Sequence, residues 1–240
     1  MLIVHGLLCS RALWKLNLEA LGTVCTPVTV ELYGHGRSPS PTDSALYTPD
    51  NYIAEFEAIR QAIGVPQWFL CGHSLGAGLS VRYAWKYPQN TLAHIFTNSS
   101  SAFGTPLEET RPPEALIKHY ETGGLDLIEQ IPVHPKYGKW IPEIVKKELE
   151  EDSALLNPGG IARTIGYTHP IVSLQHHLQE ITPPALLICG TREKRFTPLR
   201  NNLVREMPGI EVVDLEGGHA INAECHEEFN LAVVEFLGRY

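Results

Sequence analysis

Three residues of this 240-residue chain have types and settings that together could break an acyl bond. Ser74 stands in Gly72-His73-Ser74-Leu75-Gly76, with Gly78 two places further on. A serine hydroxyl is a weak nucleophile until a base takes its proton. His219, in Glu216-Gly217-Gly218-His219-Ala220-Ile221-Asn222, is the histidine best placed to be that base. Its ring needs an acid to hold the tautomer and stabilise the imidazolium. Glu193, in Gly190-Thr191-Arg192-Glu193-Lys194-Arg195-Phe196, lies between the other two in chain order, the order expected for this type of serine turn. Each has an ordinary reading when taken alone: a turn serine, a loop histidine, one member of an exposed charge run. Asp214 and Glu216 are nearer to His219 in sequence, but Asp214 falls inside a strand, and Asn98 would be only a neutral substitute for an acid.

The elements around these residues decide between the readings. Ser74 follows the apolar run Trp68-Phe69-Leu70-Cys71 and precedes a helical pattern from Leu75 to Tyr87. A strand turning sharply into a helix pushes the serine towards positive φ, and only small residues at 72 and 76 let the two elements pass. The helix start also offers the N–H of Leu75 and a positive dipole end beside the hydroxyl. A second oxyanion donor is expected at the N–H of Leu7, after a strand ending at Val4, where His5-Gly6 opens a tight loop. Gly6, Leu8 and His73 are expected around the substrate pocket, with His73 turned away from the serine in a supporting place.

Other short apolar runs are Leu2–Val4, Val28–Leu32, Leu92–Thr97, Ala185–Cys189 and Glu211–Leu215. Unbroken runs separated by helices predict buried parallel strands in a doubly wound α/β sheet of about six strands. Ser74, Glu193 and His219 then all follow strand ends, on the edge where open α/β sheets bind ligands. Helices are predicted from Pro49 to Gly64, with Thr48 as N-cap, from Pro198 to Met207, and from Ala223 to Leu237. Residues 104–179 carry no strand pattern, and helical patches at Pro113–Tyr120, Leu125–Ile131, Pro142–Leu155 and Gly160–Tyr167. So long a stretch between two strands predicts a helical cap inserted into a core of residues 1–103 and 180–240.

Composition removes several classes. The net charge of −8, without a basic block, argues against nucleic acid and membrane surfaces as partners. No apolar run reaches the roughly 18 residues of a membrane span. The opening MLIVHGLLCS lacks the basic start and cleavage site of a secretion signal. Five widely spaced cysteines without CxxC predict reduced thiols in a cytoplasmic protein, with neither a disulfide framework nor a zinc site. The remaining histidines, among them His5, His35, His119, His134, His169, His176 and His177, have no metal-binding spacing, and no cofactor is implied. The partner expected is a small-molecule substrate, and the oligomeric state is left open.

These motifs, in this order, resemble the α/β-hydrolase superfamily. His5-Gly6 is similar to its HG oxyanion motif, and Glu31-Leu32-Tyr33-Gly34-His35-Gly36-Arg37-Ser38 to its DxxGHGxS loop, with Glu for Asp. The segment 190–198 resembles GxxDxxxP, with Glu193 at the acid position, and 217–229 resembles the GHxxxxExPxxF block. Family members usually carry two strands before the HG motif, whereas Met1 is only four residues from it. The resemblance therefore predicts a sheet without its antiparallel edge, with the Val28–Leu32 strand outermost, as a minimal core or a shortened start. It implies hydrolysis through an acyl-enzyme, on a carboxylic ester, thioester or lactone. A Ser nucleophile disfavours the dehalogenase and epoxide hydrolase branches, which use Asp. The menaquinone-pathway synthase, a carbon–carbon lyase, is an alternative. Such synthases carry Arg four residues after the nucleophile, where this chain has Gly78. A binding or receptor protein with little turnover is another.

Overall fold

The computed structural model describes residues 1–105 and 112–240. Six strands form one fully parallel sheet: β1 (Leu2–Val4), β2 (Val28–Val30), β3 (Trp68–Gly72), β4 (Thr91–Thr97), β5 (Ala185–Gly190) and β6 (Glu211–Leu215). Their spatial order is β2-β1-β3-β4-β5-β6, so β2 is an edge and the direction of winding reverses at β1. β3, which leads to Ser74, lies inside the sheet beside β1, with Val4 opposite Gly72.

Alternate residues of each inner strand enter opposite hydrophobic layers. Ile3, Cys71, Ile95, Leu186 and Ile188 belong to one. Leu2, Val4 and Leu70 face the other side, as do Phe96, Leu187 and Cys189 further along the sheet. This double burial explains the continuous apolar runs. The helices, in chain order, are α1 (Leu18–Leu21), α2 (Pro49–Ile63), α3 (Leu75–Lys86), α4 (Ser100–Phe103), α5 (Pro113–Ile128), α6 (Glu143–Ser153), α7 (Pro158–Arg163), α8 (Thr197–Glu206), α9 (Ile221–Glu224) and α10 (His226–Leu237). Residues of α1 and α10 pack on the first layer, and those of α2, α3 and α8 on the second side. The bounds of α2 follow from local chemistry. The Thr48 hydroxyl accepts the Asn51 N–H at 3.3 Å, and Gly64 ends the helix in the left-handed region at φ 79°.

Several elements differ from the sequence reading. The two patches expected at 113–120 and 125–131 stay distinct within α5, because Gly124 between them (φ 64°, ψ −154°) has a non-helical backbone that divides it into two helical segments. The single helix expected over 223–237 is divided at Cys225 into α9 and α10. β2 stops at Val30, and the Leu32 N–H turns to donate to His5 Nε2 at 3.1 Å. Between β4 and β5 the described residues of 112–179 contain α5, α6, α7 and short turns, and no strand. The first residues of the expected cap include 106–111, which lie outside the described residues.

Candidate active site

The turn after β3 is held by steric limits on both sides. Ser74 has φ 53° and ψ −117°, a conformation that non-glycine residues avoid. A Cβ on Gly72 would collide with the Gly76 carbonyl, and one on Gly76 with the Val4 and His5 carbonyls. Helix and strand therefore approach backbone to backbone. The short spacing of glycines in the sequence records this contact. Leu75, as the first residue of α3, has an N–H with no intrahelical acceptor, and it lies beside the serine.

Three loops meet at Ser74. His219 Nε2 lies 2.9 Å from Ser74 Oγ. Its Nδ1 lies 3.1 Å from each Glu193 carboxylate oxygen. The arrangement fits a ring with its proton on Nδ1, donated to Glu193, and with Nε2 free to accept the serine proton. Burial acts to raise the Glu193 pKa, but hydrogen bonds from His219 and Asn98 outweigh it and hold the carboxyl below its ordinary value. The alternative acid is engaged elsewhere. Asp214 receives Arg200 at 3.1 and 2.6 Å. Arg192, the neighbour that might have claimed Glu193, reaches Glu216 instead at 3.5 Å.

Three further residues hold this group in place. Asn98, at the end of β4, donates to Glu193 Oε2 at 2.8 Å and to the Gly190 carbonyl at 3.0 Å. Glu224 brackets His219: Oε2 accepts the Gly218 N–H at 2.6 Å and Oε1 the Ala220 N–H at 3.2 Å. His73 donates from Nε2 to the His219 carbonyl at 2.9 Å, with the two rings 5.0 Å apart. Burial, and then the neighbouring His219, push the His73 pKa down to about 3, so its ring is neutral. Asn98 enters the sequence reading only as a substitute acid, and Glu224 only as a letter of the GHxxxxE pattern. Their roles depend on contacts that sequence does not display.

The loop after β1 is built on two buried histidines. His5 Nδ1 donates to the Gly6 carbonyl at 2.7 Å while Nε2 accepts from Leu32. His35 Nε2 accepts the Leu8 N–H at 3.1 Å, and its Nδ1 donates to the Tyr33 carbonyl at 3.0 Å. With the Leu8 N–H so engaged and Gly6 O receiving Cys9 N–H, the loop curls round Leu7. Gly6 sits hard against the turn that carries Ser74, since a Cβ there would come within 2.7 Å of His73 Nδ1 and 3.0 Å of Ser74 Cβ. Leu8 requires a correction. Expected in the pocket wall, it lies at φ 62° and turns inward, packing with Ile128, Leu156 and Ile161.

Ser74, His219 and Glu193 open into a cleft of about 260 Å³. Leu7, Cys9 and Leu13 line it, together with Val133, Tyr137 and Ile141 from the segment between α5 and α6. His73 and Glu224 complete the wall near the ring, and no Lys or Arg is among the described lining residues. A concavity of about 320 Å³ along β2 and α2 contains none of the three. Among the described residues no group of three or more His, Cys, Asp or Glu could hold a metal ion.

Residues 1–232 match the alpha/beta hydrolase family. The (lyso)-N-acylphosphatidylethanolamine lipase of Bos taurus is 34% identical over 98% of this chain and 78% of its own length. Its Mus musculus counterpart is 35% identical over 48% of this chain, and the match spans about a third, 33%, of that protein. A putative 2-succinyl-6-hydroxy-2,4-cyclohexadiene-1-carboxylate synthase of Bacillus subtilis is 24% identical over 98% of this chain and 88% of its own. MenH from S. aureus superposes with a TM-score of 0.82 at 19% identity, over 100% of this chain and 94% of that one, a likeness of fold.

Proposed function

The chain belongs to the alpha/beta hydrolase family, and on that premise we propose that it is a serine hydrolase acting on a carboxylic ester of a small molecule through an acyl-enzyme. The observation carrying this reading is the unbroken relay from Ser74 Oγ through both nitrogens of His219 to Glu193. Ser74 Oγ attacks the ester carbonyl carbon as His219 Nε2 takes its proton, and Glu193 stabilises the imidazolium. The tetrahedral oxyanion is met by the N–H groups of Leu7 and Leu75. His219 then returns the proton to the leaving alkoxide, the alcohol departs, and water attacks the acyl-Ser74 carbonyl by the same steps in reverse. Thioesters and lactones suit the same sequence.

Residues 112–179 act in this reading as a cap whose 132–141 segment closes one side of the cleft. The lyase reading is less well supported. No Lys or Arg to receive an anionic substrate is among the described lining residues, and a side chain at Gly78 would meet close neighbours. A Cβ there would lie 2.8 Å from Val172 Cγ2 and 3.1 Å from Ala102 Cβ. A fluorophosphonate probe tests the proposal directly. It should label the chain at Ser74, the Ser74→Ala variant should not react, and turnover of p-nitrophenyl esters should fall by several orders of magnitude. A Ser74→Ala protein that keeps near-normal turnover would remove the nucleophile from the mechanism.

A further inference from the structure

The peptide joining Gly6 to Leu7 is held from its carbonyl end. The Gly6 carbonyl accepts two hydrogen bonds, from His5 Nδ1 at 2.7 Å and from the Cys9 N–H at 3.2 Å. A trans peptide is planar, with N–H and C=O on opposite sides, so fixing the carbonyl fixes the direction of the Leu7 N–H. That N–H has no acceptor among the described residues. The same peptide lies against the serine turn, since a Cβ on Gly6 would come 3.0 Å from Ser74 Cβ, and Leu7 lines the cleft.

The ring of His5 is itself fixed as a donor. Its Nε2 faces the Leu32 N–H at 3.1 Å, and an amide N–H can only donate, so the ring proton sits on Nδ1. Complete burial keeps the ring neutral, pushing its pKa down to about 4. A chain of hydrogen bonds therefore runs from Leu32 N–H through His5 and the Gly6 carbonyl to the Leu7 N–H, and each bond polarises the next. The peptide after Leu7 is held separately, because the Leu8 N–H donates to His35 Nε2 at 3.1 Å. The other expected oxyanion donor needs no such support. Leu75 begins α3, and the helix sets the direction of its N–H. Leu7 lies in a loop, with no helix to aim it.

We propose that His5 is a positioning residue for the transition state: its Nδ1–H holds the Gly6 carbonyl, and through that one peptide it aims and polarises the Leu7 N–H towards the oxyanion. The inference rests on the serine-hydrolase reading and adds to it a residue that acts only through the backbone. Negative charge gathers on the ester oxygen only as Ser74 Oγ adds to the carbonyl carbon. A donor aimed at that charge lowers the barrier and does little for the bound substrate. The rival role for His5 is to serve the fold alone, as the acceptor for Leu32 N–H beyond the end of β2. The two roles use different ring nitrogens, so substitution can separate them.

The test compares turnover of p-nitrophenyl acetate with that of its thiono analogue, in which sulfur replaces the carbonyl oxygen and accepts hydrogen bonds poorly. His5→Leu removes both links. His5→Asn restores a donor at the position of Nδ1, and His5→Gln restores only an acceptor near the position of Nε2. His5→Leu and His5→Gln should lose about 10- to 100-fold in kcat on the oxygen ester, part of what a whole oxyanion donor is worth, with KM nearly unchanged. On the thiono ester they should lose little, so the oxygen-to-sulfur rate ratio falls by about tenfold or more. His5→Asn should recover most of the rate and of the ratio, although its urea midpoint drops because the buried Leu32 N–H has lost its acceptor. A role in the fold alone gives the reverse order, with His5→Gln the more active, or a ratio that no variant changes. Either result overturns the proposal. The contrast between His5→Asn and His5→Gln decides even where His5→Leu does not fold. A wild type that hydrolyses neither ester removes the hydrolase reading and this inference together. A wild type active through Ser74, with a ratio indifferent to His5, removes this inference alone.

Discussion

Glu193 is the residue whose role rests most on geometry. A solvated glutamate in a charge run would pair loosely with its neighbours, for less than about 1 kcal/mol. This one instead faces His219 with both oxygens and is fixed by Asn98 from the next strand. Glu193→Gln retains the shape but replaces an acceptor with a donor, favouring the wrong tautomer of His219. The expected result is a loss in rate on the order of 10⁴ with an unchanged fold. Glu193→Asp should lose less, since a small loop shift restores the contact, and Asp214→Asn should be close to neutral because Asp214 serves Arg200. Steady-state kinetics on one ester distinguishes these variants, and a dead Asp214→Asn beside an active Glu193→Gln would reassign the acid. Glu224 acts one step further out, holding the backbone on both sides of His219. Glu224→Gln keeps a single acceptor where two N–H groups need one. A displaced imidazole should lower kcat by about 10- to 100-fold and leave KM nearly unchanged. A variant with wild-type kcat would show that the loop holds itself.

At the scale of elements, α6 is joined to two loops of the sheet by a charged side chain. Asp152 accepts the Ser10 hydroxyl at 2.6 Å and Arg37 Nη2 at 2.9 Å. It thereby ties α6 to the loops after β1 and β2, which carry Ser10 and Arg37. Asp152→Ala leaves Ser10, itself buried, without its acceptor. Unfolding in urea should show a loss of about 1–3 kcal/mol, the range for breaking a hydrogen bond to a charged group, and ester KM should rise as the loop carrying Ser10 loosens. An unchanged urea midpoint would mean that residues 143–163 are held elsewhere, for instance where Gly34 and Gly160 meet backbone to backbone. Elements with local causes were readable in the sequence. α2 carries its own cap residues, and the strands show as apolar runs because both faces are buried. The division of α5 at Gly124 falls between the two patches the sequence shows, but the break at Cys225 was not readable, because helical periodicity runs through it and tertiary contacts decide. Leu8 illustrates the same limit within a loop. Its place in the turn after β1 follows from sequence, but the side to which it points depends on a backbone angle that sequence leaves open. Ser74, His219 and Glu193 were readable by chain order and strand ends. Asn98, 95 residues from its partner, was not.

For the molecule as a whole, the buried histidines set the response to acid. Burial is the first cause in each case: it pushes His5 down to about 4, and His35, His73 and His94 to about 3. An unfolded chain has these groups near 6.5. Between pH 6.5 and about 4 the unfolded state therefore binds protons that the native state refuses. Stability is full above pH 6.5 and falls as the pH drops. One unit below 6.5, each site costs about 1.4 kcal/mol, and the four together about 6 kcal/mol, against a total of roughly 5–15 kcal/mol for an ordinary domain. Carboxylates act later. Glu57, held down to about 2 chiefly by Arg60, withdraws its contribution only below its unfolded value near 4.5. Nor does repulsion explain an early loss, because the net charge of −8 shrinks as acid is added. Urea unfolding at pH 7.5 and 5.5 should show a fall of several kcal/mol. His94→Leu is the sharpest check, because that ring is fully buried in β4, stacked on Phe96 and remote from the Ser74 relay in chain position. It should flatten the pH slope by about one proton, whatever it does to stability at pH 7.5. A slope that survives His94→Leu unchanged would show that the native state opens to admit the proton, and the burial argument would then fail for the other three sites as well.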